Sequence, residues 1–223
     1  MRKEIKYAID RIEYSQIQQI LNVIMKKDKN SKEIGTYKVR TIYFDNYIHE
    51  MQNDKKNDIN AVRKYRIRMY NNEDEKIFLE RKTNENDFIK KVKHQIKKED
   101  VRNILQGKYK DILDENETLK MEFYLNINLK QIRPVLLVEY EREAFVDEIS
   151  KVRITIDKNI KSTTNCNKFF DKIEEREGNK YILEIKYEKY LPDYINNIVK
   201  NIKGKKIEKS KFRNEIERRQ YWN

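Results

Sequence analysis

Polar and apolar residues alternate with a period of two in several short runs of this chain. In 2–9, Arg2, Glu4 and Lys6 alternate with Lys3, Ile5 and Tyr7, and in 64–70, Lys64, Arg66 and Arg68 alternate with Tyr65, Ile67 and Met69. Successive side chains of a strand point to opposite faces, so this period predicts strands with one charged and one apolar face. The same reading holds at 76–82, where Phe78, Glu80 and Lys82 oppose Ile77 and Leu79, and at 152–157, where Arg153, Thr155 and Asp157 oppose Ile154 and Ile156. At 181–187, Glu184 and Lys186 oppose Leu183 and Ile185. Adding 36–44, 90–96 and 135–146 gives eight predicted strands. Helical spacing occurs at 13–26, with Ile17, Ile20, Leu21 and Ile24 on one face, and at 98–106, with Val101, Ile104 and Leu105. It recurs at 111–125 and at 190–202, with Tyr194, Ile195 and Ile198, and a short charged helix is expected at 207–219 after a turn at Gly204. The polar stretches 45–60 and 161–179 read as loops.

No internal repeat and no shift in composition divides the chain, so the expectation is one α+β domain over residues 1–223. Eight mostly antiparallel strands either close into a barrel or pack as two sheets. On ordinary half-buried strands the charged faces would look at solvent as unrelated surface. The recurrence of charged pairs two residues apart, at 4/6, 66/68, 80/82 and 184/186, favours instead a barrel lined by charge, with helices packed outside. A lining with more bases than acids suits a polyanion, with carboxylates available to a divalent cation.

Composition narrows the classes. The chain of 223 residues carries 50 Lys and Arg against 38 Asp and Glu, a net charge of +12, which points to an anionic partner: nucleic acid, an acidic membrane surface or a phosphorylated substrate. The basic residues alternate into strand faces and form neither a helical stripe nor an aromatic and basic sheet surface, so a nucleic-acid-binding module is not expected. The Lys-rich runs at 97–110 and 200–211 read as solvated helix faces, apart from Lys211. Cys166, the single cysteine, excludes a disulfide scaffold and a Cys-based zinc site. It has no partner histidine, and His94 stands apart from any second ligand. No apolar stretch is long enough to span a bilayer, and the start lacks the apolar run of a signal peptide, so a cytoplasmic protein is expected.

Glu4-x-Lys6, Arg66-x-Arg68, IFLERKT ending past Lys82, Tyr140-x-Arg142 before Ala144-Phe145, RITID at 153–157, LEIKY at 183–187 and SKF at 210–212 follow one another in order. Together they resemble the VTC domain, the polyphosphate polymerase module of the triphosphate tunnel metalloenzymes, over residues 2–212. The resemblance implies an antiparallel barrel of eight strands forming a tunnel, in which the γ-phosphate of ATP passes to a growing polyphosphate chain with a divalent metal, Mn2+ or Mg2+. It implies phosphate-binding roles for Lys6, Arg66, Arg68, Lys82, Arg142, Arg153 and Lys211, with Arg66, Arg68, Lys82, Arg142 and Arg153 closest to the chemistry. Tyr140 matches a position whose hydroxyl contacts phosphate, Lys186, on the same face as Glu184, is expected to bind phosphate, and Glu184 matches the metal-holding carboxylate. Glu4 and Glu80 either share that duty or neutralise nearby cations. Around the fifth strand, Lys91 and Lys93 are the expected phosphate ligands, with Lys90 as the alternative register.

The chemistry fits without the family. Phosphoryl transfer asks the protein to hold phosphates in line and to neutralise their charge with Arg, Lys and a metal. Arg66 and Arg68 offer planar donor forks, whereas Lys6 and Lys82 act as compact point charges. ATP, triphosphate and polyphosphate are therefore the expected partners. A metal-dependent triphosphatase and a non-catalytic polyphosphate or nucleotide sensor remain alternatives on the same residues.

Overall fold

The computed structural model describes residues 3–28, 31, 35–50, 63–85, 88–114, 116–174, 181–207 and 214–216. Ten strands appear among them: β1 (Lys3–Ile9), β2 (Lys26–Lys27), β3 (Thr36–Asp45), β4 (Arg63–Tyr70), β5 (Ile77–Glu85), β6 (Phe88–Gln95), β7 (Arg133–Asp147), β8 (Val152–Thr163), β9 (Tyr181–Tyr187) and β10 (Lys205–Lys206). Four α-helices accompany them: α1 (Arg11–Ile24), α2 (Lys98–Leu105), α3 (Thr118–Lys130) and α4 (Asp193–Lys200). The fold is a mostly antiparallel sheet with helices. Its strand order, β10-β1-β9-β8-β7-β3-β4-β5-β6 with β2 on β7, has two ends that do not pair with each other among the described residues. This corrects the expected count of eight. The additional strands are β2, opposite Phe145 and Val146, and β10, opposite Tyr7 and Ala8, each two residues long.

The chain forms two compact units: one of Met1–Lys38, Glu139–Lys161 and Arg176–Ser210, the other of Val39–Val138, Ser162–Glu175 and Lys211–Asn223. In the first unit, Asp10 caps α1 by accepting a hydrogen bond from the Glu13 amide at 2.8 Å. Ile17 and Leu21 of that helix are buried with Ile9, Phe145, Ile154, Ile156, Leu183 and Ile185, the apolar faces of β1, β7, β8 and β9. A polar anchor sits within this apolar side. Glu143 accepts from Tyr14 Oη at 2.5 Å, Lys158 Nζ at 2.8 Å and Gln18 Nε2 at 3.2 Å, so every group around this buried carboxylate compensates its charge. Burial pushes the Glu143 carboxyl up, but the hydrogen bonds from Lys158 and Tyr14 outweigh it and the net direction is down. Gly204 lets β10 approach β1, since a Cβ there would lie 2.4 Å from the Ala8 carbonyl oxygen. The amides of Lys203 and Gly204 donate to Glu13 at 2.7 and 3.0 Å, tying that turn to α1.

In the second unit, Ile42, Phe44, Tyr65, Ile67, Met69, Ile77 and Leu79 pack against Val101, Ile104, Leu119, Phe123 and Ile127 from α2 and α3. Alternation therefore does here what the sequence implies: the apolar positions of β3, β4 and β5 face helices, leaving their charged positions on the opposite face. Arg40, on the helix side, is buried and donates to the Phe169 carbonyl at 2.7 Å. The helix expected over 111–125 begins only at Thr118; before it lies a 3-10 turn, Tyr109–Ile112. The stretch 161–179, expected as a loop, starts as the end of β8 and contains a 3-10 turn at Cys166–Phe169. Of the expected helix at 207–219, residues 207 and 214–216 are described; 214–216 are helical and 207 is not. No helix among the described residues is long and apolar enough to cross a membrane.

Candidate functional site

In the second unit, antiparallel register fixes which charges share a face. Lys82 on β5 stands opposite Lys64 on β4 and Lys91 on β6, so three lysines form one row. The next row joins Tyr43, Arg66, Glu80 and Lys93, and the one after it Thr41, Arg68, Phe78 and Gln95. Like charges directly opposite one another destabilise a sheet, and a polyanion laid across them reverses that sign. Lys90, opposite Thr83, lies on the other face from Lys91 and Lys93.

Glu80 is the carboxylate among these cations. Arg66 Nε donates to it at 2.6 Å and Lys91 Nζ contacts its other oxygen at 2.6 Å. Burial alone would raise its pKa; Arg66, Arg68 and Lys91 outweigh burial and hold it at about 2. Lys91 is lowered to about 8, because burial, reinforced by Arg66 and Arg68, outweighs the attraction of Glu80. Arg68 donates to the Thr41 hydroxyl at 3.1 Å, and Lys93 lies over the Phe78 ring, 4.8 Å from its centroid.

In the first unit, Lys6, Glu184 and Thr155 form one row across β1, β9 and β8, and Glu4, Lys186 and Arg153 form the next. Lys186 Nζ lies 2.5 Å from Glu184 and 3.4 Å from Glu4, and Lys6 pairs with Glu4. Burial and the neighbouring Glu184 push the Glu4 carboxyl up, but Lys186 and Lys6 prevail and its pKa is lowered. Arg153 donates to Asp28 at 2.9 Å and to the Tyr37 hydroxyl at 3.1 Å. Arg142 makes a two-pronged bond to Asp157, Nε to Oδ1 at 2.6 Å and Nη2 to Oδ2 at 2.8 Å. Burial disfavours the Arg142 charge, yet Asp157, Tyr140 and Glu184 raise its pKa well above the ordinary value. The Tyr140 ring lies 5.1 Å from that guanidinium carbon and is buried.

Every described site residue expected from the sequence thus falls on one of these two charged faces, with Tyr140 stacked beside Arg142; Lys211 lies outside the described residues. Sequence reasoning passed over Lys64, Asp157, Asp28, Tyr37 and Thr155. Lys64 and Asp157 carried a signal, since the alternation already placed each on a charged face; Asp28 and Tyr37 reach Arg153 from distant segments and carried none. His94 pairs with Glu117 at 2.9 Å, and burial pushes the Cys166 thiol up to about 12, so its nucleophilic thiolate is suppressed at neutral pH.

Among the described residues no group of three or more His, Cys, Asp or Glu gathers to hold a metal. Glu4 and Glu184 still fit a hard divalent cation, because Mg2+ is commonly held by one or two carboxylates with the remaining positions filled by water and substrate phosphates.

Among solved structures, the chain is similar to bh2851 of Bacillus halodurans, described provisionally as an adenylate cyclase, at 14% identity and a TM-score of 0.57, over 94% of this chain and 95% of that one. It is also similar to PH1819 of Pyrococcus horikoshii OT3, at 14% identity and a TM-score of 0.51, over 98% of this chain and 99% of that one. Identities this low establish a shared fold and nothing more. No curated protein matches the chain in sequence. The VTC domain matches residues 1–219, nearly the whole length, and the chain therefore belongs to the VTC domain family.

Proposed function

We propose that the protein is a polyphosphate polymerase that transfers the γ-phosphate of ATP to a polyphosphate chain, assisted by Mn2+ or Mg2+. The observation that carries this reading is the lysine row Lys64, Lys82 and Lys91 beside Arg66, Arg68 and Lys93. Six cationic side chains on three adjacent strands, with Glu80 between them, form a surface that several linked phosphates neutralise better than one can. The closed tunnel implied by the family resemblance belongs to the same reading.

Within it, Arg66, Arg68, Lys82, Lys91 and Lys93 bind phosphate oxygens, and Lys64 joins them. Lys6, Lys186, Arg142 and Arg153 do the same in the first unit, Arg142 with its guanidinium plane set by Asp157 and Tyr140. Glu184, with Glu4, holds the metal, which when bound neutralises charge on the phosphoryl oxygens. Glu80 serves as the counter-charge that fixes Arg66 and Lys91. Fixed cations aimed at the phosphates need no reorganisation as charge shifts from the entering to the leaving oxygen, which is how this kind of site lowers a barrier.

The test is incubation with ATP and Mn2+ or Mg2+, with polyphosphate followed on gels and free phosphate measured separately. Lengthening chains are expected. Release of phosphate from triphosphate without chain growth would make the protein a hydrolase instead, and tight binding without turnover would make it a sensor.

A further inference from the structure

Thr155 sits at the centre of the first unit's charged face, directly opposite Glu184 on β9, which is in turn opposite Lys6 on β1. It is 2% exposed, and its hydroxyl is buried with no hydrogen-bond partner among the described residues. Its two neighbours on the same face of β8 are engaged: Arg153 with Asp28 and Tyr37, and Asp157 with Arg142. A buried hydroxyl without a partner destabilises a fold, and valine would occupy the same volume at a strand position without that penalty. Among the described residues, nothing in the free protein engages this hydroxyl.

We propose that Thr155 is a substrate-binding residue, whose hydroxyl donates a hydrogen bond to a phosphoryl oxygen of an inorganic or nucleoside polyphosphate. The proposal rests on the reading of this face as a phosphate site given above. The surroundings specify the ligand's chemistry. Lys6, Lys186 and Arg153 lie in the same two rows, paired with Glu4, Glu184 and Asp28, and offer cations to a phosphate that arrives with its counter-ion, while the hydroxyl adds a directed donor that a lysine point charge does not supply. A hydroxyl bonded to an ionised oxygen makes a short and strong contact, so one Thr contributes appreciably beside several cations.

The experiment compares wild type, Thr155→Val and Thr155→Ser by thermal melting and by affinity for inorganic triphosphate without metal. Thr155→Val is expected to melt higher than wild type when free, because the orphaned hydroxyl is gone, and yet to bind triphosphate about 10-fold or more weakly. Thr155→Ser, which keeps the hydroxyl, is expected to retain most of the affinity even if its smaller side chain lowers the melting temperature. A free Thr155→Val protein that melts lower than wild type would mean the hydroxyl is already bonded without ligand, and the proposal fails. Wild-type affinity in Thr155→Val overturns it equally. If the wild type itself binds no triphosphate, the reading of the whole face falls and this proposal with it, an outcome distinct from the other two.

Discussion

On β4, β5 and β6, six cationic side chains share a face with the carboxylate of Glu80, whereas on the charged face of the first unit Lys6, Lys186, Arg142 and Arg153 meet four carboxylates, Glu4, Glu184, Asp157 and Asp28. The two faces come from the same alternation of charged and apolar residues but differ in electrostatic character. An excess of cations favours a polyanion and, on the proposed reading, lets it settle in several registers. A balanced face holds each cation in one orientation and keeps carboxylates within reach of a metal. On the proposed reading, the contrast gives different work to two glutamates that look alike in sequence. Glu80 is gripped by Arg66 and Lys91, while Glu184 touches Lys186 and stands opposite a hydroxyl.

The largest expected difference lies in turnover. Glu184→Gln keeps the side chain's shape but removes the charge that a hard divalent cation needs, so metal-dependent turnover should fall by about 100-fold or more. Metal-free triphosphate affinity should stay level or tighten, since a negative charge has left an anion site. Glu80→Gln should behave differently, weakening triphosphate binding even without metal because Arg66 and Lys91 lose the group that positions them. Isothermal titration of both variants, with and without Mg2+, reads both signs. Equal losses in metal-free affinity would erase the distinction between the two carboxylates.

A second difference should appear in acid. The folded pKa of Glu80, about 2, lies below the ordinary value of 4.5. Between those values the unfolded chain binds more protons than the folded one, so the stability contributed by Glu80 is complete above pH 4.5 and is lost as pH falls toward 2. The contribution is on the order of 3 kcal/mol. Urea unfolding between pH 5 and 2.5 should therefore show a shallower slope in Glu80→Gln than in wild type. An unchanged slope would place the acid-sensitive carboxylates elsewhere.

The charged faces were legible in the sequence because period-two alternation assigns a face to each residue before any strand is paired; β4, β5 and β9 were located this way. Pairing was not legible. That Asp157 reaches Arg142, or that Arg66 and Lys91 converge on Glu80, depends on which residue stands opposite which, and alternation is silent about register. Thr155 was visible on the right face but carried no charge; its buried hydroxyl, without a partner among the described residues, is what sets it apart. The strands β2 and β10 are too short to show any period. The end of β8 from residue 161 was read as loop because Lys161, Ser162 and Thr163 open a long polar stretch. There Ile160 is buried and Ser162 donates to Glu215 at 2.8 Å, partners supplied by distant segments that local pattern does not contain.

The smallest effect concerns Lys91, whose pKa of about 8 puts its charge within reach of a mild change in pH. In the free protein the folded pKa lies below the ordinary lysine value, so the unfolded chain holds more protons between about pH 8 and 10.5 and fold stability should rise slightly across that window. Triphosphate binding has the opposite sign, because each Lys91 that loses its proton removes a cation from the row it forms with Lys64 and Lys82. Affinity should therefore decline as pH rises from 7 to 9, by about two- to fivefold, since the side chain is 42% exposed and its interactions are screened by solvent. Lys91→Arg, which stays charged throughout, should flatten that decline while leaving affinity at pH 7 close to wild type, and Lys93→Arg should leave the decline in place. A decline that persists in Lys91→Arg would move the titrating group off this row and remove the link between Lys91 and the cation excess that distinguishes this face from its counterpart.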